Sequence, residues 1–160
     1  MNILHKPKVY ISGALTGIDQ PTLIKGFYES VGLLCQKIGF QAYVPHINTD
    51  PIDHPNISPY QVFDNDKREV SNSDLVIAYV GYPSIGVGME LAYAETNAIP
   101  IILLYEKEKI VSRFPRGIPT VISQVEFTNY QDALTQLESV LKRWRQQHIE
   151  SSSSVPSAST

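Results

Sequence analysis

The amino-acid sequence predicts an α/β protein, a single-domain, flavodoxin-like or Rossmann-like three-layer sandwich. Short apolar runs alternate along the chain with segments of helical periodicity. The run at residues 75–80 is too apolar for a half-exposed strand, which indicates a parallel sheet covered on both faces. Five strands and four helices in alternation favour right-handed crossovers and the sheet order 2-1-3-4-5.

The first part of the chain predicts two strands joined by a helix. Residues 8–12 form the first strand, which ends at Gly13 and a turn. Pro21 suits the first position of a helix, and Gly39 ends that helix. Residues at three- and four-residue steps give the helix one apolar face, namely Leu23, Phe27, Val31, Leu34 and Ile38. The second strand is predicted over residues 40–44.

A polar, proline-marked segment over residues 45–56 follows the second strand. It is long for a simple connection, so we predict a loop that covers a ligand. Ser58 can cap a helix that starts at Pro59 and runs to Ser71. The remaining predicted elements are strands over 74–80, 100–105 and 120–127, and helices over about 87–97 and 130–147.

Composition limits the kind of protein this can be. The 160 residues, 42% of them hydrophobic, suit one domain, predicted over residues 1–147, with a disordered serine-rich tail over 148–160. A formal charge of −3 does not indicate the basic surface that binds a nucleic-acid polymer, although a small phosphorylated ligand needs only local hydrogen-bond donors. Nucleic acid is therefore not an expected partner.

The chain also lacks the marks of a secreted or membrane protein. Its one cysteine, Cys35, cannot form an internal disulfide and is interpreted as a helix-packing residue. No apolar run approaches the length of a membrane span, and the first residues lack the apolar core of a secretory signal. These features predict a soluble, cytoplasmic protein with no membrane partner.

The segment at residues 83–90 carries the strongest chemical signal. It follows a buried strand, so it lies at the carboxyl edge of the sheet, where ligands bind in open α/β folds. Gly86 and Gly88 let backbone N–H groups approach a ligand. Glu90 is predicted in the first turn of the next helix, where the dipole favours the ionised carboxylate unless burial opposes it. Alternatively, Glu90 only stabilises that helix end.

Two further residues are candidates for the same crevice. Asp66 lies three residues after Phe63 and four before Val70, which places it on the apolar face of its helix. A carboxylate there needs a partner, unless it turns outward or bonds to nearby backbone. Tyr10 lies in the first strand beside the crevice, where its hydroxyl can orient a carboxylate or simply occupy the core.

Three segments together resemble a known family. They are residues 10–13, the Asp66 helix with the following residues 73–78, and residues 83–91. In this order they resemble the nucleoside 2-deoxyribosyltransferase family, most closely its 2′-deoxynucleoside 5′-monophosphate N-glycosidase branch, over roughly residues 8–118. The resemblance implies that the domain is catalytic and cleaves or exchanges the bond between a (deoxy)ribose and a nucleobase. It implies no metal and no redox cofactor.

The resemblance also implies a role for each matching residue. Glu90 matches the nucleophile that forms a glycosyl-enzyme, Tyr10 the hydroxyl that positions it, and Asp66 the carboxylate that holds the sugar or assists the leaving base. The residues implied to bind the rest of the substrate are Ser12 and Gly13 in the first turn, His46 near the base, and Ser84, Gly86 and Gly88 at the 5′ end.

Ser112 and Arg116 match a segment that in relatives reaches a neighbouring subunit's site, which implies a homodimer or higher homo-oligomer with shared sites.

The sequence departs from the family pattern at a residue that binds the 5′-phosphate. Phosphate-specific relatives carry an arginine in the first turn, but residues 13–18 contain no basic residue. A 5′-phosphate could instead be held by Ser84, backbone amides and Ser112 or Arg116, or the substrate could be an unphosphorylated nucleoside.

The predicted function is hydrolysis of the N-glycosidic bond of a nucleoside 5′-monophosphate or nucleoside. Three alternatives stay open. A deoxyribosyltransferase would pass the sugar to a second base, a non-catalytic nucleotide-binding or signalling module would keep only the fold and pocket, and an NAD glycohydrolase would cleave the same kind of bond in a larger substrate. The sequence leaves open the preferred base and the choice between ribose and deoxyribose.

Overall fold

A computed structural model describes residues 6–153 of the chain, with the side chains of residues 6–149. Its centre is a five-stranded, all-parallel sheet in the order β2-β1-β3-β4-β5, which confirms the predicted order 2-1-3-4-5. The strands are β1 Lys8–Ser12, β2 Gln41–Tyr43, β3 Leu75–Tyr79, β4 Ile101–Glu106 and β5 Val121–Phe127. The helices are α1 Pro21–Ile38, α2 Pro45–Thr49, α3 Pro59–Ser71, α4 Ile85–Thr96, α5 Arg113–Arg116 and α6 Tyr130–Ser153.

Helices cover both faces of the sheet, and the central strand β3 shows why. All five of its residues are buried, and they alternate between two apolar clusters. Ile77 packs with Phe27 of α1 and Leu137 of α6, whereas Val76 packs with Leu91 of α4. This arrangement confirms the three-layer α/β architecture that the apolar run predicted.

The buried face of α1 differs in part from the predicted one. Phe27 and Val31 are buried as expected, but Leu23 is 52% exposed, and Ile24 and Cys35 are buried instead. The row that contacts the sheet is therefore displaced by one residue, which the width of an apolar stripe allows. Cys35 packs in the core, and burial raises the pKa of its thiol to about 12, as suits a packing residue.

The segment after β2 is more ordered than the predicted loop. It begins with α2, whose five residues are too few to show a helical period. Buried Asp50 at its end pairs with Lys25 of α1 and accepts a hydrogen bond of 2.8 Å from the Ile52 backbone N–H. Because α2 is attached to α1 in this way, the segment has a fixed position beside the carboxyl edge of β2.

Several other boundaries differ from the prediction. Helix α4 starts at Ile85 rather than near residue 87, because Ser84 is its N-cap. Helix α6 continues past residue 147 to Ser153, and residues 154–160 of the predicted tail lie outside the described residues. The short helix α5 was not predicted.

None of the helices in the described part of the chain is both long and apolar enough to cross a membrane.

Helix α3 starts with the predicted cap, and its contribution to stability can be measured. The Ser58 hydroxyl accepts from the Gln61 N–H at 3.2 Å, and the Gln61 side chain accepts from the Ser58 N–H at 2.9 Å. Ser58→Ala should lower the free energy of unfolding in urea by ~1 kcal/mol. As a control, Ser30→Ala removes a hydroxyl that bonds within α1 to the Gly26 carbonyl, and it should cause no such loss. Equal losses in both variants would contradict the prediction.

Candidate active site

The candidate site lies at the carboxyl edge of the sheet, where the strand order reverses between β1 and β3. Tyr10 and Ser12 are two residues apart on β1, so both side chains lie on the same face. Helices α3 and α4 cover this face and bring Asp66 and Glu90 to it. Sheet topology thus assembles, from three separate segments, the predicted carboxylates and the predicted tyrosine.

The Glu90 carboxylate is held by both hydroxyl groups of β1. The Tyr10 hydroxyl donates a hydrogen bond of 2.8 Å to Oε1, and the Ser12 hydroxyl donates to Oε2. These bonds support the predicted role of Tyr10 as the group that orients Glu90. They also give Ser12 a function that the sequence did not predict, because its hydroxyl is committed to the carboxylate.

Glu90 does not lie in the first helical turn as predicted, and burial opposes its ionisation. Because α4 starts at Ile85, Glu90 lies in the second helical turn, beyond the strongest effect of the helix dipole. Burial raises the pKa of Glu90 to about 7 against the opposing effect of the Ser12 and Tyr10 donors, and the nearby Asp66 carboxylate raises it further. At neutral pH, Glu90 is therefore divided between its acid and its ionised form.

Tyr10 remains protonated beside this carboxylate. Burial, followed by the negative charges of Glu90 and Asp66, raises the pKa of Tyr10 far above its ordinary value of 10.0. The phenol can therefore act only as a hydrogen-bond donor toward Glu90 at physiological pH. This makes Tyr10 an orienting group and not a base.

Asp66 faces inward, as its spacing on α3 predicted. Its Oδ1 atom is buried and has no hydrogen-bond partner among the described residues. Burial, with a smaller effect of Glu69, raises the pKa of Asp66 to about 6. A buried carboxylate oxygen without a partner is costly, so it is well suited to accept a hydrogen bond from a ligand.

Tyr43 belongs to the site, and the sequence analysis missed it. It ends β2 in register with Tyr10, and the two rings stack with centroids 5.6 Å apart and planes inclined by 20°. Burial and the charges of Asp66 and Glu69 raise the pKa of Tyr43 to about 12. Its place could have been inferred from the predicted topology, because equivalent positions on adjacent parallel strands share a face.

The loop after β3 has the open geometry predicted for a ligand-binding turn. The Ser84 hydroxyl accepts from the Val87 N–H at 3.3 Å, so it caps α4 and can still donate its own proton. A Cβ atom at Gly86 would contact only the Ser84 hydroxyl, at 3.8 Å, and one at Gly88 would have no neighbour within 4 Å. Packing within the described chain therefore does not require these glycines, whereas close approach of a ligand would.

Gly13, in contrast, has a packing role. A Cβ atom there would overlap the ring of Tyr28, whose hydroxyl donates to the Ala14 carbonyl at 3.1 Å. The His46 ring also neighbours that of Tyr28, with centroids 6.1 Å apart, and its Nε2 is 2.8 Å from Oε1 of Glu29. The structure thus places both predicted residues beside the same tyrosine.

Ser112 and Arg116 lie elsewhere in this chain. The Ser112 hydroxyl caps α5 by accepting from the Phe114 N–H at 3.3 Å. The Arg116 Nε donates to the Gln124 side chain at 3.0 Å, and its guanidinium lies 5.8 Å from the centroid of the Tyr105 ring. These contacts join α5 to β4 and β5 and do not join it to Glu90.

The described residues contain no group of three or more His, Cys, Asp or Glu side chains that could hold a metal ion. The polar groups next to Glu90 are instead the hydroxyls of Tyr10 and Ser12 and the carboxylate of Asp66. This arrangement can offer one carboxylate as a nucleophile and a second as a hydrogen-bond acceptor or acid. The fold and the site together define a deoxyribosyltransferase-like α/β enzyme.

Comparisons with known proteins identify the family. "Putative 2'-deoxynucleoside 5'-phosphate N-hydrolase 1" of Thermofilum pendens (strain DSM 2475 / Hrk 5) is 30% identical over 140 residues, which are 84% of this chain and 94% of that protein. The protein of the same name from Syntrophotalea carbinolica is 40% identical over 83 residues, 51% of this chain and 55% of that protein. No protein-family model matches the chain. The chain belongs to the 2′-deoxynucleoside 5′-phosphate N-hydrolase family, which confirms the resemblance.

Solved structures confirm the fold. The CMP N-glycosidase BcmB of Clostridium botulinum superposes with a TM-score of 0.65 at 20% identity, covering 83% of this chain and 98% of that one. A 2-deoxyribosyltransferase from Bacillus psychrosaccharolyticus superposes with a TM-score of 0.60 at 17% identity, covering 84% and 95%. At these identities the likeness concerns the architecture of the chain.

The raised pKa of Glu90 should make stability fall as the pH rises. Between its ordinary pKa of 4.5 and about 7, the folded chain holds a proton that the unfolded chain has lost. The free energy of unfolding of the wild type should therefore fall relative to that of Glu90→Gln by ~1–3 kcal/mol across this range, in urea titrations. Glu95→Gln, at an exposed position of α4, should follow the wild type. If the free energies of unfolding of the wild type and Glu90→Gln changed in parallel with pH, the raised pKa of Glu90 would be contradicted.

Proposed function

We propose that this protein hydrolyses the N-glycosidic bond of a 2′-deoxynucleoside 5′-monophosphate or a related nucleoside, with Glu90 as the nucleophile. The observation that carries the proposal is the Glu90 carboxylate, bonded by Tyr10 and Ser12 at the carboxyl edge of a parallel sheet. The names of its relatives, an N-hydrolase and an N-glycosidase, support the same bond as the target. A hydrolase and a base-exchanging transferase share the first chemical step.

In that step the Glu90 carboxylate attacks C1′ of the sugar while the bond from C1′ to the base nitrogen breaks. The electron pair of that bond leaves with the base, which takes up a proton, and a glycosyl ester forms on Glu90. A water molecule then attacks C1′, breaks the ester and restores the carboxylate, and it gives up a proton that balances the one taken up by the base. If a second base attacks in place of water, the product is a new nucleoside and the enzyme is a transferase.

The role of Asp66 is inferred from its buried oxygen, which lacks a partner in the described part of the chain. Its pKa of about 6, raised by burial, leaves the carboxyl largely ionised at neutral pH. An ionised carboxylate accepts hydrogen bonds, and its buried Oδ1 is without a partner among the described residues. We therefore assign Asp66 to a hydroxyl group of the sugar, one of the two roles that the resemblance implied.

The 5′ end is assigned to the loop over Ser84, Gly86 and Gly88. The glycine positions leave the start of α4 open, and the Ser84 hydroxyl has a proton to donate. The first turn supplies no cation, so hydroxyl and backbone donors would have to hold a phosphate within this chain.

We also propose a cytoplasmic location, consistent with the single buried thiol.

We further propose a homodimer in which Ser112 and Arg116 serve the partner's site. Within one chain these residues do not contact Glu90. Two large apolar side chains beside them, Ile110 before α5 and Phe114 within it, stand in solvent. Burial of these side chains against a second chain would stabilise such a dimer.

The first test uses purified protein and a panel of ribo- and deoxyribonucleosides and their monophosphates, with release of free base as the measurement. Glu90→Gln should lower kcat/KM for the best substrate by at least ~10²-fold, because Gln cannot form the ester. Glu95→Gln is the matched control on the same helix, at an exposed position away from the site. Full activity in Glu90→Gln would overturn the assignment, and a new nucleoside formed with added base would identify a transferase.

The second test addresses the shared site. Glu90→Gln and Arg116→Ala are each expected to be nearly inactive, yet a mixed dimer contains one site with both native residues. After the two variants are unfolded together in equal amounts and refolded, activity should return to about a quarter of that of wild-type protein treated in the same way. A mixture that shows only the average of its two parents would contradict shared sites.

A further inference from the structure

One polar contact at the crevice is not used by the proposed chemistry. It joins α1 to α2 through His46 and Glu29, with Nε2 of the imidazole 2.8 Å from the carboxylate oxygen Oε1. His46 is only 5% exposed, whereas about half of the Glu29 side chain is in solvent. A buried imidazole thus has one of its two nitrogens occupied by a carboxylate at the surface.

The chemistry of this contact fixes where the ring proton lies. An ionised carboxylate only accepts hydrogen bonds, so Nε2 of His46 must carry the hydrogen. In the neutral ring the second nitrogen, Nδ1, is then a bare acceptor. Nδ1 is buried and has no hydrogen-bond partner among the described residues. An unsatisfied buried acceptor of this kind is destabilising, and a donor on a ligand would relieve that cost.

The fold holds the imidazole at the edge of the site. Helix α2 starts directly after β2, so His46 lies at the same carboxyl edge as Glu90. Its ring neighbours that of Tyr28, which packs against Gly13 in the first turn. The Lys25–Asp50 ion pair also attaches this segment to α1, and a hydrogen bond of 2.9 Å between His54 Nε2 and the Ile47 carbonyl stabilises the segment internally. Glu29 therefore need not hold α2 in place.

We propose that Glu29 is a positioning residue that fixes the Nε2–H tautomer of His46, so that Nδ1 accepts a hydrogen bond from an amino group of the nucleobase. The inference rests on the proposed function, because it assumes that a nucleobase occupies the crevice. It names the substrate class as nucleotides of bases with an exocyclic amine. Replacing the amine by a carbonyl would set two acceptors against each other, which selects against the keto base.

The test measures binding, so it does not depend on turnover. Calorimetry on the Glu90→Gln protein compares two matched pairs, deoxyadenosine with deoxyinosine monophosphate and deoxycytidine with deoxyuridine monophosphate. The amino member of at least one pair should bind about tenfold more tightly. Adding Glu29→Leu should reduce that preference to within about threefold, whereas Glu29→Gln, which keeps an oxygen acceptor, should retain most of it.

His54→Ala is the matched control, because it removes a hydrogen bond that stabilises the same segment without touching either nitrogen of His46. It should leave the amino preference within about twofold of that of the parent protein. A loss of preference in His54→Ala as large as that in Glu29→Leu would show that Glu29 acts only by holding α2. That result would overturn the proposal.

A spectroscopic measurement reads the tautomer directly. In ¹⁵N spectra of the imidazole groups, His46 should show a protonated Nε2 and a bare Nδ1, and Glu29→Leu should raise the share of the opposite tautomer. A protonated Nδ1 in the wild type, a preference for the keto bases, or no binding by either member of both pairs would each overturn the inference. Failure of the proposed hydrolysis is seen separately, as absence of base release by the wild type.

Discussion

The site depends on one interaction, the hydrogen bonding of the Glu90 carboxylate by two hydroxyls from β1. Tyr10 donates to one oxygen and Ser12 to the other, so the helix that carries Glu90 is tied to a strand eighty positions earlier in the chain. Two features of the fold position this contact. The parallel sheet aligns the ends of β1 and β3, and Ser84 sets the start of α4 and hence the position of Glu90 along it.

The same contact balances two opposing electrostatic effects. Burial favours the neutral acid, while the two hydroxyl donors favour the carboxylate. The result is a glutamate with a pKa of about 7, ionised in part at neutral pH and only weakly solvated. In the proposed reaction such a carboxylate would be a better nucleophile than one in bulk water, because less hydration would have to be removed before it reached C1′. The stability that its burial costs would then serve the reaction.

Much of this arrangement could be predicted from the sequence, because its signals are local. The apolar run of β3, the proline and glycine at the two ends of α1, and the serine cap of α3 each fix an element through short-range chemistry. The sheet order then brings Tyr10, Asp66 and Glu90 together. The features that were missed depend on tertiary structure. Neither the burial that raises the pKa of Glu90 nor the use of Ser12 can be read from neighbouring residues.

The other features that the sequence did not predict have similar causes. Helix α2 has too few residues to show a period, and it is stabilised by an ion pair with α1 that spans twenty-five positions of the chain. The place of Tyr43 beside Tyr10 depends on the pairing of two strands that are far apart in the chain. Ser112 and Arg116 were predicted from resemblance alone, and their contacts within one chain lie away from Glu90.

The covalent step is the centre of this account, and mass spectrometry tests it most directly. Protein mixed with an active substrate, quenched in acid and digested should yield a peptide whose mass is increased by the sugar moiety, with the ester on Glu90. Glu90→Gln should give no such peptide. A sugar ester on Asp66, or on any side chain other than Glu90, would contradict the account.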